Sequence, residues 1–127
     1  MPGRYLIDTD VLIDYLRGSE PAGKFLEGLE GDLLTSAISV AELFSGARGP
    51  EEAAALDQFM LAFEAVPVDE QLARQAGILR HEYHPSDGVG LADALIAASA
   101  MENGAELLTL DKWHYPMVGQ VRVPYRR

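Results

Sequence analysis

The chain has 127 residues and no cysteine, and sets 20 acidic against 10 basic side chains, a formal net charge of −10. That length fits one domain, and a hydrophobic share of 48% supplies a core and argues against disorder. The missing cysteines exclude a disulfide scaffold, an iron–sulfur cluster, a cysteine-bound zinc and a thiol nucleophile, and the charge argues against gripping nucleic acid through a broad basic surface.

Arg4-Tyr5-Leu6-Ile7 is a short apolar run that stops at Asp8, the pattern of a buried first strand. Asp10 is placed to cap a helix carrying Val11, Leu12, Ile13, Tyr15 and Leu16, closed by Gly18. Ser19 opens a second helix, with Pro21 in its first turn and Phe25, Leu26 and Leu29 on one face. Leu33-Leu34-Thr35 reads as a strand. Ser39-Val40-Ala41-Glu42 matches the Ser-x-x-Glu capping box of a helix running toward Gly46. Pro50-Glu51-Glu52 puts acidic charge at another helix start, followed by Leu56, Phe59, Met60 and Phe63 at helical spacing. Residues 65–68 are extended, and Pro67 suggests an edge or terminal position. Asp69 caps a helix over 70–83, and Pro85-Ser86-Asp87-Gly88 is a loop. Residues 91–102, apolar nearly all round, predict a buried helix ended by Asn103-Gly104. A strand over 106–110 and a weaker one over 120–123 complete the chain. Alternating strands and helices with links long enough to cross over predict an α/β domain spanning 1–127, a central parallel sheet with helices on both faces. The start of the chain is too poor in apolar residues for a signal peptide, and no apolar run approaches a membrane span. A soluble, cytoplasmic protein without membrane contact is the expectation.

Open parallel sheets build their sites beyond the C-terminal ends of the strands. Asp8 follows the first strand and Asp111 follows residues 106–110, while Glu42 and Asp93 stand near helix starts. Each has a plain explanation: Glu42 completes a capping box, Asp93 favours a helix N-terminus, and Asp111 caps a turn. Asp93, however, is a lone charge among Leu91, Ala92, Ala94, Leu95, Ile96, Ala97 and Ala98, a costly burial unless compensated. If the four converge, either some bind protons or cations sit between them. Hard oxygen donors without cysteine or paired histidines point to Mg²⁺ or Mn²⁺ rather than zinc. An acidic chain can thus still meet phosphate. His81 and His84, at a helix end, and His114, beside aromatics, read as structural or solvated.

Tyr5-Leu6-Ile7-Asp8-Thr9-Asp10-Val11-Leu12-Ile13 resembles the opening of PIN-domain ribonucleases, in particular the VapC-like toxins of toxin–antitoxin pairs. Thr35-Ser36-Ala37-Ile38-Ser39-Val40-Ala41-Glu42-Leu43 is similar to the second block, with Gly46 and Ala47 where a small pair is common. Gly90-Leu91-Ala92-Asp93-Ala94-Leu95-Ile96-Ala97-Ala98 is similar to the third, and Leu107-Leu108-Thr109-Leu110-Asp111 with Trp113-His114-Tyr115 to the fourth, where Tyr115 replaces the usual Phe. The blocks occur in the family's order across residues 4–115.

The resemblance implies a three-layer PIN-like fold and a metal-dependent endoribonuclease. Asp8, Glu42, Asp93 and Asp111 would form an acidic quartet around Mg²⁺ or Mn²⁺, with Thr9 and Thr109 orienting carboxylates. Asp10, standing where Asn or Ser is common, would be either a fifth carboxylate at the site or a helix cap. RNA would be the substrate, and the partners a cognate antitoxin and a second copy in a homodimer, with residues 26–29 and 59–63 as docking surfaces or core. Two other classes stay open: a catalytically inactive PIN-like binding module, and a phosphatase of the haloacid-dehalogenase type, suggested by Asp8-Thr9-Asp10 but poorly matched after it. A response-regulator receiver fails because its mid-chain candidate, Asp57, lies inside a helical pattern. The cations Lys24, Arg48, Arg74, Arg80, Lys112 and Arg126-Arg127 are scattered, and no aromatic–basic stripe marks a single-strand groove. Arg17 and Lys112 adjoin the first and fourth blocks, although surface solubility accounts for them more simply.

Overall fold

The computed structural model describes residues 3–126; Met1, Pro2 and Arg127 lie outside it. Five strands form one sheet: β1 (Gly3–Ile7), β2 (Gly31–Ser36), β3 (Glu64–Val66), β4 (Glu106–Leu108) and β5 (Val121–Arg122). They lie in the order β3-β2-β1-β4-β5, and every pairing is parallel. Six α-helices supply the crossovers: α1 (Thr9–Leu16), α2 (Glu20–Glu27), α3 (Ala37–Ser45), α4 (Pro50–Met60), α5 (Glu70–Asp87) and α6 (Leu91–Glu102).

Side chains alternate across a strand, so neighbouring residues serve opposite faces. Leu6, Leu34 and Leu107 therefore pack into one core with Leu72 and Ala76 of α5 and Ala94, Ala97 and Ala98 of α6. Ile7 and Leu108 pack into the other, with Val11 and Leu12 of α1, Leu26 of α2, Leu43 of α3 and Leu56 of α4. The sheet thus has helices on both faces, as the alternation of elements predicts. Phe59, Phe63 and Leu29 pack against the second core and Leu26 is buried in it, whereas Leu61 is exposed, so packing accounts for most but not all of the apolar side chains of residues 26–29 and 59–63. Among the described residues no helix is long and apolar enough to cross a membrane.

Several local expectations are corrected. Asp8, not Asp10, is the N-cap of α1, its side chain accepting from the Thr9 N–H. Ser36, not Ser39, caps α3 through the Ile38 N–H, because β2 runs into the helix without a loop; the capping box with Glu42 does not form. Helix α5 continues past residue 83 through Pro85 to Asp87. Proline there removes only one donor near the helix end, and Gly88, at φ 69°, closes it with an N–H bond to the His84 carbonyl. The fourth strand stops at Leu108, since Thr109 and Leu110 turn toward the carboxylates described below.

Gly31 pairs with Gly3 where β1 and β2 begin. Its φ is 137°, and a Cβ on it would collide with the Gly3 backbone carbonyl. Gly31→Ala is therefore expected to destabilise the fold by about 1–3 kcal/mol, measured as a fall in the urea midpoint; an unchanged midpoint would show that the strand start relaxes freely.

Candidate active site

Asp8 leaves the C-terminal end of β1 and is 7% exposed. Its Oδ1 accepts from the Thr9 N–H at 2.8 Å, and its Oδ2 accepts from Thr109 Oγ1 at 2.8 Å and from the Tyr115 hydroxyl at 2.9 Å. Burial pushes this carboxyl above its ordinary value despite those three donors, and Asp93 adds to the rise. Asp93, in the first turn of α6, is raised as well, by burial and by Glu42, while His114 draws it down. The Tyr115 hydroxyl is held far above its usual range by burial and then by Asp8 and Asp93, so it stays protonated and keeps donating.

Thr9 links the first and second blocks. Its Oγ1 lies 2.7 Å from Glu42 Oε1 and 2.8 Å from Ser39 Oγ. A carboxylate only accepts, so the single Thr9 proton goes to Glu42 and Ser39 donates to Thr9. Glu42, one turn further along α3, is thereby aimed at the site. Asp10 lies beside this network: its Oδ1 accepts from the Val11 N–H at 2.7 Å, and its Oδ2 from the Leu110 N–H at 3.0 Å, 3.4 Å from the Thr109 Oγ1 that bonds Asp8. It fastens α1 to the segment after β4.

Asp111 opens a 3-10 turn, Lys112–His114. His114 places Nε2 3.2 Å from Asp111 Oδ2 and Nδ1 3.6 Å from Asp93 Oδ2, so one ring spans two carboxylates. Asp8, Glu42, Asp93 and Asp111 thus lie around one end of the sheet, tied through Thr9, Thr109, Tyr115 and His114. Asp57 is in α4, away from any strand end.

His114 and Tyr115 are the site residues that sequence reasoning missed. The replacement of Phe by Tyr115 was a usable signal, because a buried phenol needs an acceptor. The spacing of His114 three residues after Asp111 was another, since a 3-10 turn eclipses such positions. His81 and His84 are exposed, as expected. Among the described residues no three His, Asp or Glu side chains close on a single point as they stand. In kind, though, the donor set suits Mg²⁺ or Mn²⁺: hard carboxylate oxygens, two of them at acids whose burial penalises an uncompensated charge.

Tyr115→Phe leaves Thr109 as the only hydroxyl donor to Asp8 Oδ2. Losing a buried bond to a charged group is expected to cost about 1.5–3 kcal/mol of stability at neutral pH in chelator, read from urea unfolding. No change would mean that Asp8 is held by Thr9 and Thr109 alone.

The C-terminal edge of the parallel sheet thus gathers carboxylates aimed by hydroxyl groups. The PIN domain family model matches residues 5–115, and the chain belongs to that family. It is 38% identical over 123 residues to Ribonuclease VapC10 of Mycobacterium tuberculosis, covering 94% of this chain and 92% of that protein. Ribonuclease VapC19 of the same species is 37% identical over 124 residues, covering 94% and 98%. Among solved structures, a toxin–antitoxin complex from Klebsiella pneumoniae superposes with a TM-score of 0.85 at 27% identity, covering 97% of this chain and 99% of that one.

Proposed function

We propose that the chain, acting in the cytoplasm as one PIN-like domain and as a homodimer, is a metal-dependent endoribonuclease and the toxin of a toxin–antitoxin pair. The observation that carries this reading is the buried Asp8, raised by burial and by Asp93, at the strand end where the family's first acid stands. The ribonuclease names of the two relatives and the toxin–antitoxin title of the structural neighbour support it.

In this reading Asp8, Glu42, Asp93 and Asp111 hold Mg²⁺ or Mn²⁺. When bound, the cation supplies a Lewis acid that lowers the pKa of water and offsets charge on the phosphoryl oxygens. The chain's own residues position everything else. Thr109 and Tyr115 fix the Oδ2 edge of Asp8, and Thr9 fixes Glu42. Asp10 holds the segment that carries Asp111. His114 lies between Asp93 and Asp111, 3.6 Å from one and 3.2 Å from the other. No general base beyond the carboxylates is required.

The test is cleavage of total cellular RNA by protein freed of any partner, with Mg²⁺, with Mn²⁺ and with EDTA. Cleavage that needs the metal and leaves 5′-phosphate ends is expected. Cleavage that persists in EDTA, or leaves 2′,3′-cyclic phosphate, overturns the metal reading. No cleavage with either metal leaves the binding module.

A further inference from the structure

The acidic chain lacks a broad basic surface, and several of its cations are already engaged: Lys24, Arg48 and Arg74 each pair with an acid one helical turn away. An RNA substrate must therefore be gripped by contacts that do not depend on overall charge. Stacking of a base on an aromatic ring is one, because every base has a π-face.

Trp113 is the chain's single tryptophan and is 79% exposed. The turn that carries it is anchored at both ends. Trp113 lies between Lys112 and His114 in the 3-10 turn whose entry is fixed by the bond from the Asp111 N–H to Thr109 Oγ1, 3.1 Å. The exit is fixed by Tyr115, buried on Asp8. The indole is thus largely in water, on the residue next in chain to the ring that spans Asp93 and Asp111. Lys112 stands over it, Nζ 5.6 Å from the ring centroid. An aromatic face and an ammonium side by side match the two parts of a nucleotide.

We propose that Trp113 is a stacking platform for an unpaired base beside the scissile phosphate, and that Lys112 meets the neighbouring phosphate. The inference rests on the ribonuclease reading and narrows its substrate to single strands and loops, since the faces of paired bases are covered by their neighbours.

Because Trp113 is the only tryptophan, its emission reports this position alone. The probe is a pool of short random-sequence single-stranded RNA carrying a fluorescein, added to Asp8→Asn or, as a second non-cleaving background, Asp93→Asn. Binding is read by anisotropy of the label and, with unlabelled RNA, by quenching of the indole. Quenching that tracks binding is expected, with no quenching by a blunt duplex. In the cleaving protein, Trp113→Ala should raise KM by about tenfold with kcat little changed, and Trp113→Phe should recover most of the loss. RNA that binds without altering the emission, or a Trp113→Ala variant with wild-type KM, overturns the platform and leaves the ribonuclease reading standing. Emission that responds to the antitoxin but not to RNA reassigns the indole to the protein partner. A wild-type protein that neither binds nor cleaves RNA removes the ribonuclease reading, and the platform with it.

Discussion

Asp8→Asn and Asp93→Asn are each expected to lower RNA cleavage by more than about a hundredfold, beyond the usual effect of losing an outer partner of a metal ligand, while stability in chelator holds or rises. Asparagine keeps the volume and removes the charge. Both acids have folded-state values raised above the ordinary 3.8, so the folded chain binds more protons than the unfolded one. Stability contributed by these groups then falls as pH climbs from the unfolded value through the raised one. The Asn variants lack that loss. Their melting temperatures in EDTA should therefore gain on the wild type as pH climbs above about 4. At Asp8 one term opposes: an amide cannot accept from Thr9 on one side and from Thr109 and Tyr115 on the other. Losing one such bond costs about 1.5–3 kcal/mol, which offsets much of the relief. Melts must be run without metal, because cation bound to the wild type adds stability by linkage. A marked fall in melting temperature for both variants would make the carboxylates structural.

The same two acids show why part of the site was legible from the residues. Asp8 ends an apolar strand and Asp93 interrupts an apolar helix, so each breaks a periodic pattern at a place where burial is costly. The layered sheet was legible for a similar reason, since β1, β2 and β4 each carry a short apolar run beside helical periods. Capping was not. Ser36 and Ser39 both carry cap chemistry, and Asp8 and Asp10 do too. The choice between them is made by strand pairing: β2 keeps its register with β3 up to Ser36, opposite Val66, and the helix starts there. Once it does, Ser39 falls inside the helix and its hydroxyl turns to Thr9. His114 was hidden by the same kind of long-range decision. Its reach to Asp93 depends on a turn pinned by Tyr115 on Asp8, more than a hundred positions away in sequence.

Control should act on the same carboxylates. A nuclease free in the cytoplasm would cut its host's RNA, so the toxin reading requires a partner that silences it, and the chemistry of the site sets what that partner presents. With no cation bound, the crowded acids favour a basic group, and Arg bonds two carboxylates at once through its planar fork. Beside the site runs a groove of about 580 Å³ between α1, α3 and α4, lined by Ile13, Leu16, Leu43, Ala47 and Leu56, with Glu42 among its walls. Arg17 and Arg48 also line it. Arg48 is paired with Glu52, so an antitoxin segment with apolar side chains for the groove, an acid for Arg17 and an Arg reaching past Glu42 would suit it. Two consequences separate this arrangement from simple steric covering. Excess Mn²⁺ should weaken inhibition, because cation and guanidinium compete for the same oxygens. Replacing that Arg by Ala in the antitoxin should restore cleavage while the complex still co-elutes, since the groove contacts remain; the loss of inhibitory grip should be about 2–5 kcal/mol. Inhibition indifferent to Mn²⁺, together with an Arg→Ala antitoxin that still silences the nuclease, would mean that the partner blocks access to the RNA without entering the acidic site.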